Sequence, residues 1–493
     1  MADAFKRTLG IPMGDLSQFR KRPVATLAII AVNIAIYAIT SYENFFLEVS
    51  DYWVSAGGFV PALTPMPAQW YRVFSSMFLH ADFFHILFNM YFLYIFGRAV
   101  EEALGKWRFL ALYMVSGAVA SIFHTAFSFL GGATAYVIPA IGASGAISGV
   151  LGAYLILFPG TSLVMGWGFL FFPIFFRLKA AYYLIFWFAT QVIYGYARLG
   201  GSTAVFAHAG GFMAGIALLP FVVSKERSAQ FKLAYQAILP PHLTFAPSTR
   251  TRGLGRITKI ILAALLVSLL FGAAYASTGL STPKEEIKST VVQYTYNGNL
   301  YVDYVGFQLP EVGAQISEIS LDETRILLNR LYWAGMLYNK GKNDTEANET
   351  YKGELQVNVT VTIYDYEIVI PKNVPTTINL TGKYDKDGFL AKAEGVLETY
   401  IIRVNVTRII RVNVTRAPPP YWYFYNLTLV GPVSYSFRLE SQTVNFSEVT
   451  RYAGVGSLIV TAAALFITIK RDEELVLVGE EPERIWRPFT PVV

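Results

Sequence analysis

The chain has 493 residues, 54% of them hydrophobic and only 15% charged, with a mean hydropathy of +0.41 and a formal net charge of +6. A soluble domain of this size could not carry so apolar a composition, which places the protein in a bilayer. The small positive charge is explained by topology, as the loops below show, and calls for no nucleic-acid partner.

A spanning helix needs about 20 apolar residues. Candidate stretches lie, in chain order, near 23–41, 83–98, 108–130, 144–158, 180–197, 205–223, 257–277 and 453–469. The first begins too far into the chain for a cleaved leader and reads as an uncleaved span. Lys and Arg stay on the cytoplasmic side of short loops. Lys6, Arg7 and Arg20-Lys21-Arg22 therefore put residues 1–22 inside. Arg98 with Lys106 and Arg108, Arg177 with Lys179, and the basic loop 225–256 follow the same rule, and an even number of spans returns the tail 470–493 to the cytoplasm.

Residues 278–452 are left outside, and their composition changes. Runs such as "LQVNVTVTIYDYEIVI" and the tandem "IIRVNVTRIIRVNVTR" alternate apolar and polar residues with the period of two expected of strands. Ser320 and Glu323 form a capping box ahead of an amphipathic helix ending near Asn339. All the Asn-x-Ser/Thr sequons of the chain fall here, at Asn343, Asn348, Asn358, Asn379, Asn405, Asn413, Asn426 and Asn445. Their confinement to the outer region makes them candidate glycosylation sites. With no cysteine in the chain, this domain cannot rely on disulfides.

Chemistry gathers in the spans. His208 stands within the sixth, in "FAHAGGFMAG", and an ionisable residue inside a membrane is functional unless a partner explains it. His208, Gly211 and Gly215 share one helical face, and Gly145, Gly149 and Gly152 form a similar stripe on the fourth span. Such stripes let two backbones approach closely, which would bring Ser144 and His208 to one depth. A serine hydroxyl needs a base to take its proton, and a neutral imidazole is the usual device. Gly142 and Gly145, on either side of Ala143-Ser144, permit a tight turn into the helix. A helix N-terminus at Ser144 would aim backbone N–H groups at an oxyanion. No Asp or Glu lies in the fourth or sixth span, so a dyad is expected. His85 and Asn89, i and i+4 at the head of the second span, can both donate to the same developing charge.

Gly142-Ala143-Ser144-Gly145, His85-Ile86-Leu87-Phe88-Asn89 and Ala207-His208-Ala209-Gly210-Gly211, in this arrangement on six spans, resemble the rhomboid intramembrane serine proteases. The resemblance covers about 23–224. It implies an all-α polytopic membrane protein with a six-helix protease core, here with two further transmembrane helices and a β-rich extracytoplasmic domain. It implies peptide-bond hydrolysis with Ser144 as nucleophile, His208 as general base, and His85, Asn89 and the Ser144 amide as oxyanion donors. Arg72 resembles the arginine of the family's Trp-Arg motif, with Tyr71 where Trp is usual. Glu101 resembles the glutamate closing the second span, and His80, with Asp82 as partner, a loop-stabilising residue; these roles are structural. Ser148 departs from the pattern: family members often have there an aromatic that stacks on the catalytic imidazole. His208 must then be oriented by a hydrogen bond or by another aromatic.

A membrane metalloprotease would need His-Glu-x-x-His in a span, and none exists. Paired intramembrane aspartates are missing, as are the inverted repeat and buried carboxylate of a transporter. No metal or cofactor is expected. The rival on the same scaffold is a catalytically silent relative that binds and escorts membrane helices, which typically lacks the serine or the histidine. The expected partners are transmembrane-helix protein substrates and lipid, with cell-surface or substrate-ectodomain contacts through 278–452. Absence of cysteine and dense external sequons point to an archaeal plasma membrane.

Overall fold

The computed structural model describes residues 11–15, 22–169, 172–200, 204–229, 253–280, 282, 286–308, 321–363, 366–408 and 423–479. In chain order these form β1 (Ile11–Asp15), α1 (Val24–Ser41), α2 (Phe83–Leu104), α3 (Lys106–Phe127), α4 (Ser144–Leu157), β2 (Ser162–Phe169), β3 (Phe172–Lys179), α5 (Ala180–Tyr196), α6 (Val205–Val222) and α7 (Arg256–Ser277). There follow β4 (Glu286–Tyr296), β5 (Asn299–Gln308), α8 (Asp322–Trp333), β6 (Glu346–Ile363), β7 (Tyr366–Tyr384), β8 (Leu390–Arg408), β9 (Tyr423–Asn445) and α9 (Phe446–Lys470), with short helical turns between some of them. Two compact units result: Met1–Lys284 with Phe446–Val493, and Glu285–Asn445.

In the first unit, α1, α2, α3, α6, α7 and α9 are long and apolar enough to cross a membrane. A multi-pass membrane protein follows from them. The fourth and fifth expected spans are shorter, at 14 residues for α4 and 17 for α5. Helix α4 starts at the turn made by Gly142 and stops before Pro159-Gly160; every residue from Gly145 to Leu157 is buried, among α2, α3, α5 and α6. A helix wrapped in protein has no need to match the bilayer.

Lipid tails give no hydrophobic drive between helices, so close backbone packing has to hold them together. The glycine stripes supply it. A Cβ placed on Gly211 would stand 1.9 Å from the Gly145 carbonyl oxygen, one on Gly215 equally close to that of Gly149, and one on Gly152 2.0 Å from that of Phe212. Helices α4 and α6 thus cross with their backbones nearly touching. Helix α9 packs on α3, α6 and α7, so it belongs to the same bundle as the helix bearing His208.

Polar devices close the helix ends. The Glu101 carboxylate, 5% exposed, accepts from the backbone N–H groups of Ala25 and Thr26 and from the Thr26 hydroxyl, each at 2.8 Å. It thereby caps α1, whose N-terminal donors have no intrahelical partner. At the far end of α4, Leu157 O accepts from Leu477 N and Val478 N. Buried Asp472 accepts from Leu254 N and Lys259 Nζ, tying the segment after α9 to the start of α7.

The membrane unit is not all-α as the resemblance implied. Strands β1, β2 and β3 form an antiparallel sheet in that order. The run "SLVMGWGFLFFPIFFRLK" is apolar from Leu163 to Phe176 but rich in aromatic residues and broken by Gly and Pro, which favours a hairpin over a helix.

The second unit is a six-stranded antiparallel sheet in the order β5-β4-β9-β8-β7-β6. Along β9 Tyr435, Phe437 and Leu439 are buried while Ser436, Arg438 and Glu440 are exposed, whereas β4, between β5 and β9, is buried on both faces from Ile287 to Val292. Helix α8 covers the inner face through Leu327 and Leu331, against Val292, Tyr294, Ile378 and Leu439. It ends at Trp333, not near Asn339, because Gly335 at φ +67° turns the chain out of the helix. Of the expected capping box Ser320 lies outside the described residues; at the head of the helix Leu321 N donates to Asp303 Oδ2 at 2.7 Å. Lys288, fully buried, is held by Asp387 at 2.8 Å, by Asp385 and by Thr443. The asparagines of the described sequons, Asn343, Asn348, Asn358, Asn379, Asn405, Asn426 and Asn445, are all exposed; Asn413 lies outside the described residues.

Candidate active site

Ser144 is the first residue of α4. Gly142 has φ +124°, a conformation that strains any residue with a side chain, and Gly142 N donates to Ser76 O at 2.8 Å. This fixed turn delivers the Ser144 side chain at a helix N-terminus, where backbone N–H groups are free to bind a negative charge.

Across the glycine contact, α6 presents His208, 3% exposed. Its Nε2 lies 2.8 Å from Ser144 Oγ. Its Nδ1 lies 2.9 Å from Gln191 Oε1 on α5. One turn earlier on α5, the Trp187 ring stands 6.1 Å from the imidazole, tilted by 34°. The Ser148 hydroxyl, 1% exposed, donates back to Ser144 O at 2.6 Å rather than to His208. So both a hydrogen bond and a different aromatic flank the imidazole. Nothing in the sequence singled out Gln191 or Trp187. The one available signal was that Gln191 is an uncharged but strongly polar residue in an otherwise apolar stretch.

The second constellation converges from α2. Asp82 caps this helix, its Oδ1 accepting from His85 N at 2.8 Å, and is therefore not the partner expected for His80. His85 Nδ1 accepts from Ala81 N at 3.3 Å. Its Nε2 faces the turn at Gly142: a Cβ there would stand 2.8 Å from His85 Nε2 and 3.6 Å from Ser144 Oγ. One turn on, Asn89 is 6% exposed, and its Nδ2 is buried without a hydrogen-bond partner among the described residues. A buried unpaired donor costs about 1–3 kcal/mol. It is tolerated where function uses it.

The remaining expected residues build the frame. Arg72, 1% exposed, donates from Nη1 to Ser55 O and Gly58 O at 2.7 and 3.0 Å and from Nε to Gln69 Oε1, which holds the first loop in shape. Tyr71, where Trp is usual in the resembled motif, donates to Ala56 O at 2.7 Å. His80 is fully buried and meets the His85 ring edge-on at 5.2 Å. Burial first, and His85 second, push its pKa down to about 3, so it is neutral. Glu101 caps α1, as described above. Tyr136, in the loop leading to Ser144, stacks on Phe446 at 4.3 Å and shares a hydrogen bond with Thr450, which fastens that loop to the first turn of α9. Among the described residues no group of His, Asp and Glu is arranged to hold a metal ion.

Residues 67–225 match the family model described as the Rhomboid domain. The chain is 29% identical over 211 residues to mitochondrial rhomboid protein 1 of Saccharomyces cerevisiae, which covers 43% of this chain and 56% of that protein. It is 32% identical over 143 residues to the rhomboid protease AarA of Providencia stuartii, covering 27% and 50%. With the putative rhomboid protease YdcA of Bacillus subtilis the identity is 39% over 89 residues, covering 18% and 42%. The chain thus spans about half the length of the curated relatives it matches. The domain and these relatives support the rhomboid family, and the matched segment contains Ser144, His208, His85, Asn89 and Gln191.

Proposed function

We propose that the protein is an intramembrane serine endopeptidase that cuts peptide bonds in or near the transmembrane helices of other membrane proteins. The observation that carries this reading is the 2.8 Å approach of His208 Nε2 to Ser144 Oγ at the N-terminus of a buried helix. In the proposed reaction Ser144 Oγ attacks the scissile carbonyl carbon while His208 Nε2 takes the hydroxyl proton. The oxyanion is met by His85 Nε2–H, Asn89 Nδ2–H and the Ser144 amide. His208 then returns its proton to the leaving amine, and a water molecule, deprotonated by the same imidazole, frees the acyl group. The roles of Gly142, Gly145, Gly211 and Gly215 are steric, and those of Arg72, His80 and Glu101 structural.

A helix hides its peptide bonds in its own hydrogen bonds, so the scissile segment must unwind. Substrates with Gly, Ala, Ser or Pro near the outer interface are favoured: Gly and Pro open a helix at low cost, and Ala and Ser keep the side chain before the cut small. We place both termini in the cytoplasm and residues 278–452 outside, in a plasma membrane. The exposure of every described sequon asparagine supports glycosylation there.

The test is labelling by a fluorophosphonate probe in lipid, comparing the unaltered protein with Ser144→Ala and His208→Ala. Labelling that is lost in both variants is the expected result. A folded, unaltered protein that takes no label would sink the protease reading in favour of a helix-binding relative without chemistry.

A further inference from the structure

Helix α5 contributes a third residue to the pair at the site. Gln191, 7% exposed, has its amide orientation fixed by its neighbours. Its Nε2 faces two acceptors of its own helix, Trp187 O at 3.4 Å and Thr190 Oγ1 at 3.2 Å. That leaves Oε1, which can only accept, 2.9 Å from His208 Nδ1. An imidazole facing an acceptor at Nδ1 carries its proton there, and its Nε2 is then the lone pair that faces Ser144 Oγ. The reverse tautomer would put two acceptors, the unprotonated Nδ1 and Gln191 Oε1, against one another.

We infer that Gln191 is a positioning residue, which holds His208 in the tautomer and ring orientation able to take the Ser144 proton. The inference rests on the protease reading. It assigns to α5 the work that a carboxylate does in a three-residue serine site, with one chemical difference. An amide fixes the tautomer without adding a negative charge, so it orients the imidazole but does not raise its basicity. A neutral partner also suits the setting, since an unpaired carboxylate buried in this bundle would carry a large desolvation cost. Trp187, at i−4 on the same face, flanks the ring and limits its tilt.

The surroundings leave few other groups to set the charge state of His208. His85 on α2 and His124 on α3 are the ionisable side chains whose charge reaches it from packed helices. Helices α4, α5 and α6 contain no Asp, Glu, Lys or Arg, and α9 carries Glu448, Arg451 and Lys470 near its ends.

The experiment joins two readouts. In the unaltered protein in liposomes, the ¹⁵N shifts of the His208 ring, identified against His208→Ala, report which nitrogen is protonated. In parallel, fluorophosphonate labelling rates are followed against pH for the unaltered protein, Gln191→Met, Gln191→Glu and Ser144→Ala. We expect the Nδ1–H tautomer at neutral pH. Gln191→Met, which keeps the length but cannot accept the same bond, should label roughly 10- to 10³-fold more slowly, the upper end approaching what a general base contributes. Gln191→Glu restores the acceptor and adds a charge that favours imidazolium. It should recover labelling at high pH, with the acid limb moved up by about 1–3 pH units. A merely structural glutamine would show no such displaced limb. An Nε2–H tautomer, a Met variant labelling at the unaltered rate, or a folded Glu variant with an unmoved limb would overturn the role. If the unaltered protein takes no label the protease reading fails, and the ring shifts still decide whether Gln191 sets the tautomer.

Discussion

Asn89 keeps a buried amide donor unpaired at the head of α2, one turn from His85. If that donor serves an oxyanion, Asn89→Ala should lower the fluorophosphonate labelling rate by roughly 10²-fold while leaving the unfolding temperature equal or higher. A structural asparagine would give the opposite pattern, a lower unfolding temperature with labelling intact. Gly211 poses the converse case, since even a methyl group would overlap the Gly145 carbonyl. Gly211→Ala should therefore destabilise the bundle by about 1–3 kcal/mol, in the range of overpacked cores, and widen the gap between Ser144 and His208. Thermal unfolding in detergent and labelling should fall together in that variant. His80 supplies a pH dependence with a definite sign. The unfolded imidazole binds a proton near pH 6.5 and the buried one only near pH 3. Stability is thus undiminished above pH 6.5 and declines as pH falls from there towards 3. Unfolding midpoints measured across that interval should drop less steeply in His80→Phe than in the unaltered protein.

At the scale of elements, hydropathy marked the long helices, and the two glycine stripes marked a close crossing, because each signal is repeated along several turns. The hairpin β2–β3 was harder to read. A buried helix and a buried strand are both simply apolar, and it is the bundle around them that settles which one forms. Gln191 was illegible for a related reason: one amide on an apolar helix has no spacing to recognise, and its meaning comes from a residue 17 positions away. The capping carboxylate at Glu101 is a contact of the same long-range kind, 75 residues from Thr26. Glu101→Ala should leave its donors buried and cost about 2–4 kcal/mol. Glu101→Gln should recover part of that loss, since it keeps an acceptor; no loss in either variant, read by chemical denaturation, would mean the cap is unimportant.

For the whole molecule, the division into two units has a simple geometric basis. Glu286 and Asn445 are direct partners on neighbouring strands, so the sheet unit enters and leaves through one doorway about 5 Å wide. Its core is closed by α8 within its own sequence. Replacing 285–445 with a short Gly-Ser linker should therefore leave the helical unit folded and Ser144 reactive towards the probe, while cleavage of large membrane substrates measures what the sheet adds. Loss of probe labelling in the folded deletion variant would show that the second unit is needed for the chemistry itself.

The length of α4 has one more consequence. Fourteen residues rise only about 21 Å, against roughly 30 Å of hydrocarbon. Were Leu157 at one edge of the bilayer, Ser144 would stop about 9 Å short of the other. The helix works as a fixed post sunk in the membrane, and the height of that post sets the depth of the reactive hydroxyl. A thicker bilayer would bury the post further without lengthening it, and would carry a different stretch of any passing helix to the level of Ser144. On the proposed protease reading, lipid thickness would then select the bond that is cut, with no change in the protein.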